Sequence, residues 1–263
     1  MKILRRDWTG FLSHSLLGRL IRLPFRMIPD FVTLPILTGP LNGMKWVASS
    51  SLTSCWLGTY ELSLQKTAEK YIRPGMTVYD VGAHVGFFTM FFARLVGNTG
   101  IVHAIEPYPD NCSYIRRHVD LNEIDNVRLW QLALSDTVGY TGFRPSHHSS
   151  MGTITDDDTG LLMVPVTTMD RLIGDGHIDP PDIVKVDIEG HERQFLQGAE
   201  ETIERCSPVM FIEVHSLGND DFCRRFLKGL GYSVVDVEGG CDSHERHPRM
   251  ICALPSGRED GCG

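Results

Sequence analysis

VYDVGAHVGFFTMFFARLVGNTGIVHAIE, residues 78–106, contains two short β-branched runs on either side of a longer apolar run. Residues 78–81 and 101–105 predict strands, and residues 87–96 are apolar enough to predict a buried helix between them. Two glycines precede the helix, and a second turn follows it. The stretch therefore predicts one βαβ unit, the building block of a parallel sheet.

A carboxylate lies at the end of each predicted strand, Asp80 in the first and Glu106 after the second. In a dinucleotide site the turn amides and the helix N-terminus hold a pyrophosphate, which Asp80 would repel. A carboxylate at position 106 is placed to accept hydrogen bonds from ribose hydroxyls. The two acids therefore favour a phosphate-free nucleoside that carries a sulfonium, namely S-adenosyl-L-methionine, although the glycine spacing alone also occurs in ordinary turns.

The chain has 263 residues, a length that indicates one catalytic domain. Its formal net charge is −8. Because a nucleic-acid partner needs clustered Lys and Arg, this charge argues against one and favours a small or neutral substrate. The seven cysteines are scattered and contain no C-x-x-C pair. They are typical of reduced thiols in a cytoplasmic protein.

The N-terminal region contains Arg5-Arg6 and an uneven apolar stripe within residues 7–27. Polar residues interrupt the stripe, so it predicts neither a twin-arginine leader nor a membrane span, which needs about 20 apolar residues. We expect the stripe to pack on the domain or on a second copy in a homo-oligomer, with docking on a membrane surface as the alternative. Several prolines then predict an extended lead-in.

Further strands alternate with helices along the rest of the chain. Short strands are expected at 44–48 and around Trp56, and a hairpin with a mobile loop is expected at 138–160. The other predicted elements are helices at 61–71, 111–122, 168–173, 191–203 and 222–230, and strands at 127–134, 163–166, 182–187, 209–214, 232–237 and 250–254. The pattern predicts an α/β fold with a mostly parallel sheet covered on both faces, an extension at 1–60, a catalytic domain at 61–256 and a tail at 257–263.

Six segments, taken in order, resemble the FkbM family of S-adenosylmethionine-dependent methyltransferases. They are WLGTYE (56–61), DVGAHVGFFT (80–89), AIEPYPDN (104–111), ALSD (133–136), VKVDIEGHE (184–192) and IEVH (212–215). His84 departs from the family pattern, which has Asn at that position. The resemblance implies a Rossmann-like class I methyltransferase fold with seven strands in the order 3-2-1-4-5-7-6. It also implies O-methylation of a hydroxyl on a sugar or natural-product small molecule.

The residues predicted to bind the cofactor lie in the glycine turn and at the neighbouring strand tips. An acid at position 61 would pair with the ammonium group of the cofactor, although it also suits an ordinary helix N-terminus. Short polar groups after the third strand would line the base. The predicted set is Asp80, Gly82, Ala83, His84, Gly86, Thr89, Glu106, Pro107, Ser135, Asp136 and Glu61.

The predicted catalytic residues follow the next two strands. Methyl transfer to a hydroxyl needs close positioning and removal of a proton. Asp187 is the first choice for contacting the substrate, although it would alternatively cap a helix or bond Lys185. Glu189 would aid it, or would simply favour the helix N-terminus. Glu213 and His215 lie on one face of their strand, and the histidine is able to take a proton near neutral pH.

A metal site is not favoured by the sequence. If Asp187, Glu213 and His215 converge, a divalent ion becomes conceivable. The pairs His147-His148 and His244/His247 lie in polar loops without thiolate partners, so we expect them to be solvated. Glu192 is likewise expected to be a solvated helix residue, and His191 is expected near the substrate pocket.

Three other functions are weighed against this one. N-methylation of a small molecule and a non-catalytic subunit that binds S-adenosylmethionine both remain open. An NAD-dependent oxidoreductase is disfavoured, because no Tyr is followed four residues later by Lys and because Asp80 opposes a pyrophosphate.

Overall fold

The computed structural model describes residues 32–145, 152–154, 162–237 and 248–257. Four sequence predictions lie outside these residues: the N-terminal stripe with its proposed homo-oligomer contact, the pair His147-His148, the pair His244/His247, and the tail beyond residue 257. None of the helices within the described ranges has the length and apolar character needed to cross a membrane.

The strands are β1 (Thr33–Pro35), β2 (Lys45–Val47), β3 (Thr77–Val81), β4 (Ile101–Ile105), β5 (Val127–Trp130), β6 (Ala133–Leu134), β7 (Gly139–Pro145), β8 (Gly152–Ile154), β9 (Leu162–Thr167), β10 (Ile183–Val186), β11 (Val209–Val214), β12 (Tyr232–Asp236) and β13 (Arg249–Pro255). The helices are α1 (Thr53–Leu57), α2 (Leu62–Tyr71), α3 (Phe87–Val96), α4 (Pro109–Leu121), α5 (Met169–Gly174), α6 (Glu192–Gln197), α7 (Glu200–Cys206) and α8 (Leu217–Gly229).

The central sheet has seven strands in the order β12-β13-β11-β10-β3-β4-β5. Strands β11, β10, β3, β4 and β5 are parallel to one another, and β13 is antiparallel to both of its neighbours. When these strands are numbered along the chain, the order is 3-2-1-4-5-7-6, the order that the family resemblance implies. In the register, Val81 lies opposite both Ile105 and Val186. The residues that follow β3, β4 and β10 therefore meet at one edge of the sheet.

Both faces of the central sheet are covered, as expected for parallel strands. Successive residues of β3 point to opposite faces, so Val78 packs in one core cluster and Tyr79 in the other. Helix α3 belongs to the first cluster, and the rings of Phe88, Phe91 and Phe92 pack against one another, with Phe88 stacked on Phe92 and edge-on to Phe91. Such a uniformly apolar helix is stable because almost all of its surface is buried.

The predicted strand at 127–134 is in fact two strands. The chain bends after β5, where Leu132 N donates to Trp130 O, and β6 then joins a second sheet. This second sheet has four strands in the order β6-β9-β7-β8. The sequence of this run gave no sign of the bend, after which the chain passes from the partly buried β5 to the buried β6.

The helix predicted at 191–203 is also interrupted. It forms α6 and α7, with the break at Gly198. The carbonyl oxygen of Gly198 accepts a hydrogen bond from Asp170 N instead of continuing the helical ladder. A Cβ atom at Gly198 would overlap the carbonyl oxygen of Ser135, so glycine is what allows this approach.

The segment before α2 packs against the domain. Trp46 is fully buried and stacks on His118 of α4, with ring centroids 3.9 Å apart, and Val47 N donates to His118 Nε2 at 3.1 Å. The predicted strand around Trp56 is wrong, since these residues form α1. This anchoring brings α1 and Tyr60 to the edge of the sheet where β3, β4 and β10 end.

Candidate active site

A cleft opens at this edge of the central sheet. Its volume is about 960 Å³ when the open solvent at its mouth is included. Strand tips form its floor, α1 and Tyr60 form one side, and residues around β6 form the other. The lining residues are Ser51, Leu52, Cys55, Tyr60, Val81, Gly82, His84, Ile105, Glu106, Pro107, Asn111, Leu132, Ala133, Leu134, Phe143, Asp187, Ile188 and Glu189.

The turn after β3 requires glycine at two positions. Gly82 has φ +74°, and a Cβ atom there would overlap the carbonyl oxygen of Asp187. Gly86 has φ +92°, and a Cβ atom there would lie 3.1 Å from the Ile115 side chain. Both glycines let the backbone pack where any side chain would interfere. The tips of β3 and β10 are thereby held in direct contact at the cleft.

Two backbone amides hold the carboxylate of Glu106 in place at the floor of the cleft. The residue is only 4% exposed, its Oε2 accepts a hydrogen bond from His84 N at 2.8 Å, and its Oε1 accepts one from Tyr108 N at 2.9 Å. Burial raises its pKa to about 7, although these hydrogen bonds oppose the shift. The Asn111 side chain donates a third hydrogen bond, which leaves the carboxylate with one further acceptor position for a hydroxyl in the cleft.

Asp80 lies behind the turn rather than in the cleft wall. It has no exposed surface, its Oδ2 accepts from Thr89 Oγ1 at 2.7 Å, and its Oδ1 lies 3.4 Å from Lys185 Nζ. Neither Asp80 nor Thr89 is among the residues that line the cleft. Asp80 instead holds a buried cation beneath the turn.

That cation, Lys185, is a site residue that the sequence reasoning treated only as an alternative partner of Asp187. It is 3% exposed, and its Nζ lies 3.0 Å from Gly82 O and 3.4 Å from Asp187 Oδ2. Burial opposes the charged form, but nearby carboxylates, Asp187 first, outweigh it and raise the pKa of the ammonium above its ordinary value. A lysine within a β-branched buried strand was the available signal, because such a lysine needs carboxylate partners.

The prediction that Glu192 is a solvated helix residue is wrong. It has no exposed surface, and its Oε1 lies 2.8 Å from His215 Nδ1 and accepts from Gly190 N at 2.8 Å. Asn219 Nδ2 donates to its other oxygen. Glu192 therefore fixes the ring of His215 and the loop that precedes α6.

The predicted catalytic residues converge around that ring. The Nε2 atom of His215 lies 3.4 Å from Glu189 Oε2 and 3.8 Å from Asp187 Oδ1. Burial disfavours the charged imidazole, but the hydrogen bond and charge of Glu192, together with Asp187 and Glu213, raise the pKa of His215 overall. Burial and the like charges of Asp187 and Glu61 raise the pKa of Glu213. Asp187 and Glu189 line the cleft, whereas Glu213 and His215 are not among its lining residues.

His84, the departure from the family pattern, lines the cleft with an unusual backbone. Its φ is +52°, and its Nε2 atom is buried without a hydrogen-bond partner among the described residues. Burial lowers its pKa to about 4, so the imidazole is neutral at pH 7. A buried ring nitrogen without a partner costs free energy that a ligand in the cleft can recover.

The structure separates some predicted cofactor residues from the cleft. Ser135 and Asp136 are not among the lining residues, and Ser135 Oγ lies 2.8 Å from His191 Nε2 and 3.0 Å from Asp136 Oδ1. The wall beside them is apolar, formed by Leu132, Ala133 and Leu134.

Three further residues that were predicted to bind the cofactor lie next to the cleft but do not line it. Ala83 packs with Ala104 and Ile115, and Gly86 is the N-cap residue of α3. Glu61 is the N-cap residue of α2, and its Oε2 is buried without a hydrogen-bond partner in the described part of the chain. Burial, followed by the charge of Asp187, raises the pKa of Glu61. Pro107 lines the cleft as predicted.

The sequence reasoning identified Tyr60, within the WLGTYE segment, but missed the rest of the α1 side of the cleft. Ser51, Leu52 and Cys55 line it, and Tyr60 packs edge-on against Phe87. No local motif marks Ser51, Leu52 and Cys55, since their position depends on how the early segment folds back over the sheet. The described cysteines Cys55, Cys112, Cys206 and Cys223 are free thiols.

Two characterised proteins are similar in sequence to this chain. It is 28% identical over 139 residues to hexuronic acid methyltransferase AglP of Haloferax volcanii, covering 53% of this chain and 56% of that protein. It is 28% identical over 197 residues to 31-O-demethyl-FK506 methyltransferase FkbM of Streptomyces tacrolimicus, covering 62% of this chain and 75% of that protein.

A solved structure and a family model agree with these relatives. The crystal structure of methyltransferase FkbM from Methylobacillus flagellatus superposes with a TM-score of 0.51 at 18% identity, covering 76% of this chain and 53% of that one. The chain thus spans little more than half of the Haloferax and Methylobacillus proteins. The fold is that of the class I methyltransferases. The family model for the methyltransferase FkbM domain matches residues 80–234, more than half of the chain, and the protein belongs to this family.

Proposed function

We propose that the protein transfers a methyl group from S-adenosyl-L-methionine to a hydroxyl of a sugar or natural-product small molecule. The observation that carries the proposal is Glu106, a carboxylate held by two backbone amides on the floor of a cleft, beside a glycine turn. The named substrates of the two sequence relatives, a hexuronic acid and a demethylated natural product, favour this acceptor class.

The cleft residues fit the cofactor. Glu106 can accept from ribose hydroxyls, and the apolar wall formed by Leu132, Ala133 and Leu134 suits the faces of an adenine ring. The neutral imidazole of His84 also offers a nitrogen that lacks a hydrogen-bond partner among the described residues. When bound, the cofactor supplies a methyl group on a positively charged sulfur, and that sulfur keeps the electron pair of the broken bond.

The protein has to position the acceptor hydroxyl and take its proton. Asp187 and Glu189 are the acids on the cleft wall beside the β10 tip. Lys185 faces one oxygen of Asp187, which leaves Oδ1 to orient the hydroxyl. Glu189 has the more exposed side chain of the two and is placed to receive the proton. Positioning alone can lower such a barrier by about 7–11 kcal/mol.

Calorimetry with S-adenosylhomocysteine tests the cofactor assignment. The wild type is expected to bind with a micromolar to millimolar Kd, and Glu106→Ala is expected to weaken binding at least tenfold. Glu69→Gln, an exposed change on α2, serves as the matched control and should bind as the wild type does. Absence of binding to the folded wild type would overturn the proposal.

Mass spectrometry of products tests the reaction itself. The protein is incubated with a donor carrying a deuterated methyl group and with a panel of sugars, uronic acids and hydroxylated natural products. A labelled O-methyl product supports the proposal. Labelled N-methyl products only, or cofactor binding without any product across the panel and an extract of the source, would instead support the alternatives.

A further inference from the structure

We infer that Asp187, Glu213 and His215 form a binding site for one divalent cation. One oxygen from each carboxylate and one ring nitrogen of the histidine all lie within 4.8 Å of one another. Carboxylate oxygen and imidazole nitrogen are both ordinary ligands of Mn²⁺ and Zn²⁺. This is a mixed set of donors from two adjacent strand tips, β10 and β11, and not a surface cluster of acids.

The histidine is oriented as a metal ligand. Its Nδ1 lies 2.8 Å from Oε1 of Glu192, a residue with no exposed surface. Such a contact keeps a proton on Nδ1, so that Nε2, which faces Asp187 and Glu189, becomes the ligand once the ion displaces its proton. Buried carboxylates that hold the second nitrogen of a ligating histidine are a regular feature of metal sites.

The spacing of the donors independently favours an ion between them. The Nε2 atom lies 3.4 Å from Glu189 Oε2 and 3.8 Å from Asp187 Oδ1, both longer than a normal hydrogen bond. Ligands at about 2.0–2.2 Å from one ion are separated by roughly 3–4 Å.

The charges around the cluster favour a cation as well. Asp187, Glu189, Glu192 and Glu213 surround a single histidine, and the nearby Lys185 is shared with Asp80. Lys185 faces Oδ2 of Asp187, so Oδ1 remains available as a ligand. A divalent ion would offset the excess negative charge at this strand edge.

The role of the ion rests on the proposed function, although the site itself does not. Bound beside the cleft wall, the ion would hold the acceptor oxygen and make its hydroxyl more acidic. The O–H proton would pass to the carboxylate of Glu189 while the oxygen bonds the methyl carbon. The bond between that carbon and the sulfur of S-adenosylmethionine would break, with its electron pair remaining on sulfur.

Mn²⁺ binding to the tag-free full chain tests the site without any donor or acceptor. The protein is stripped with EDTA and desalted, and loss of the free Mn²⁺ electron paramagnetic resonance signal is followed during titration. We expect one site per chain with a Kd below about 1 mM. Glu213→Gln and His215→Gln should each weaken binding at least tenfold, whereas the exposed change Glu204→Gln should leave it unchanged.

A second measurement distinguishes the loss of metal binding from misfolding and from the loss of cofactor binding. Each variant and the wild type are titrated with S-adenosylhomocysteine in EDTA, which reports a folded cofactor cleft. Variants that bind this ligand normally but have lost Mn²⁺ support the site. No Mn²⁺ binding by wild type that binds S-adenosylhomocysteine, or equal Mn²⁺ binding by folded Glu213→Gln, overturns the inference and leaves the proposed function intact. Failure of S-adenosylhomocysteine binding alone counts against the proposed function only.

Discussion

His215 Nδ1 lies 2.8 Å from Oε1 of Glu192, and the two residues belong to different elements, the tip of β11 and the first turn of α6. Glu192 also accepts from Gly190 N, in the loop that carries Asp187 and Glu189. One buried carboxylate therefore sets the orientation of the histidine relative to both acids on the cleft wall.

Glu192→Gln is expected to lower methyl transfer by about 10–100-fold, because a neutral amide cannot hold the ring and the loop equally well. Binding of S-adenosylhomocysteine should change less than twofold, since Glu192 is not among the cleft residues. Nuclear magnetic resonance should show a lower pKa for His215, because the carboxylate that stabilises its charged form is gone. An unchanged His215 titration in the folded variant would contradict this role.

Lys185→Met is expected to destabilise the protein by about 3–5 kcal/mol, since it leaves buried carboxylates without their cation. Urea unfolding at pH 7 measures the loss. The double variant Asp80→Asn with Lys185→Met should recover part of it, because one uncompensated charge is removed as well. Lys66→Met, an exposed change on α2, should stay within about 0.5 kcal/mol of the wild type. Additive losses in the double variant would exclude the coupling.

Gly82→Ala is expected to separate the tips of β3 and β10, because a Cβ atom there would overlap the carbonyl oxygen of Asp187. The positive φ adds strain, so we expect a loss of at least about 2 kcal/mol in stability and no measurable cofactor binding. Thermal unfolding and calorimetry check both effects. Gly218→Ala is the matched control, because nothing lies within 4 Å of its added methyl group. Normal cofactor binding by Gly82→Ala would refute the packing argument.

The pKa of Glu106 predicts a pH dependence of stability. Burial raises it from 4.5 to about 7, so the folded state binds this proton more tightly than the unfolded chain. The stabilisation is fully present below pH 4.5 and is lost as the pH rises through 7, which amounts to about 3 kcal/mol. Between pH 4.5 and 7, the unfolding free energy of Glu106→Gln should therefore fall less steeply with rising pH than that of the wild type. Parallel curves for the two proteins would show that Glu106 ionises normally.

The order of elements and the cofactor side of the site could be predicted locally. Residues 87–96 and 101–105 form the predicted helix and strand without a shift, because apolar runs bounded by glycine turns specify such elements by themselves. Glu106 could be placed at a strand tip for the same reason, since it directly follows a strand whose neighbours are fixed by the parallel order.

The sequence by itself thus determined the alternating α/β pattern, the glycine turn and the acids at the strand tips. Only the tertiary structure decided which of those acids face the cleft. Asp80 is turned toward Lys185, and Glu192 is buried against His215, because a buried charge needs a partner that is distant in sequence. Pairing of this kind depends on strand register and loop approach, which local periodicity does not contain.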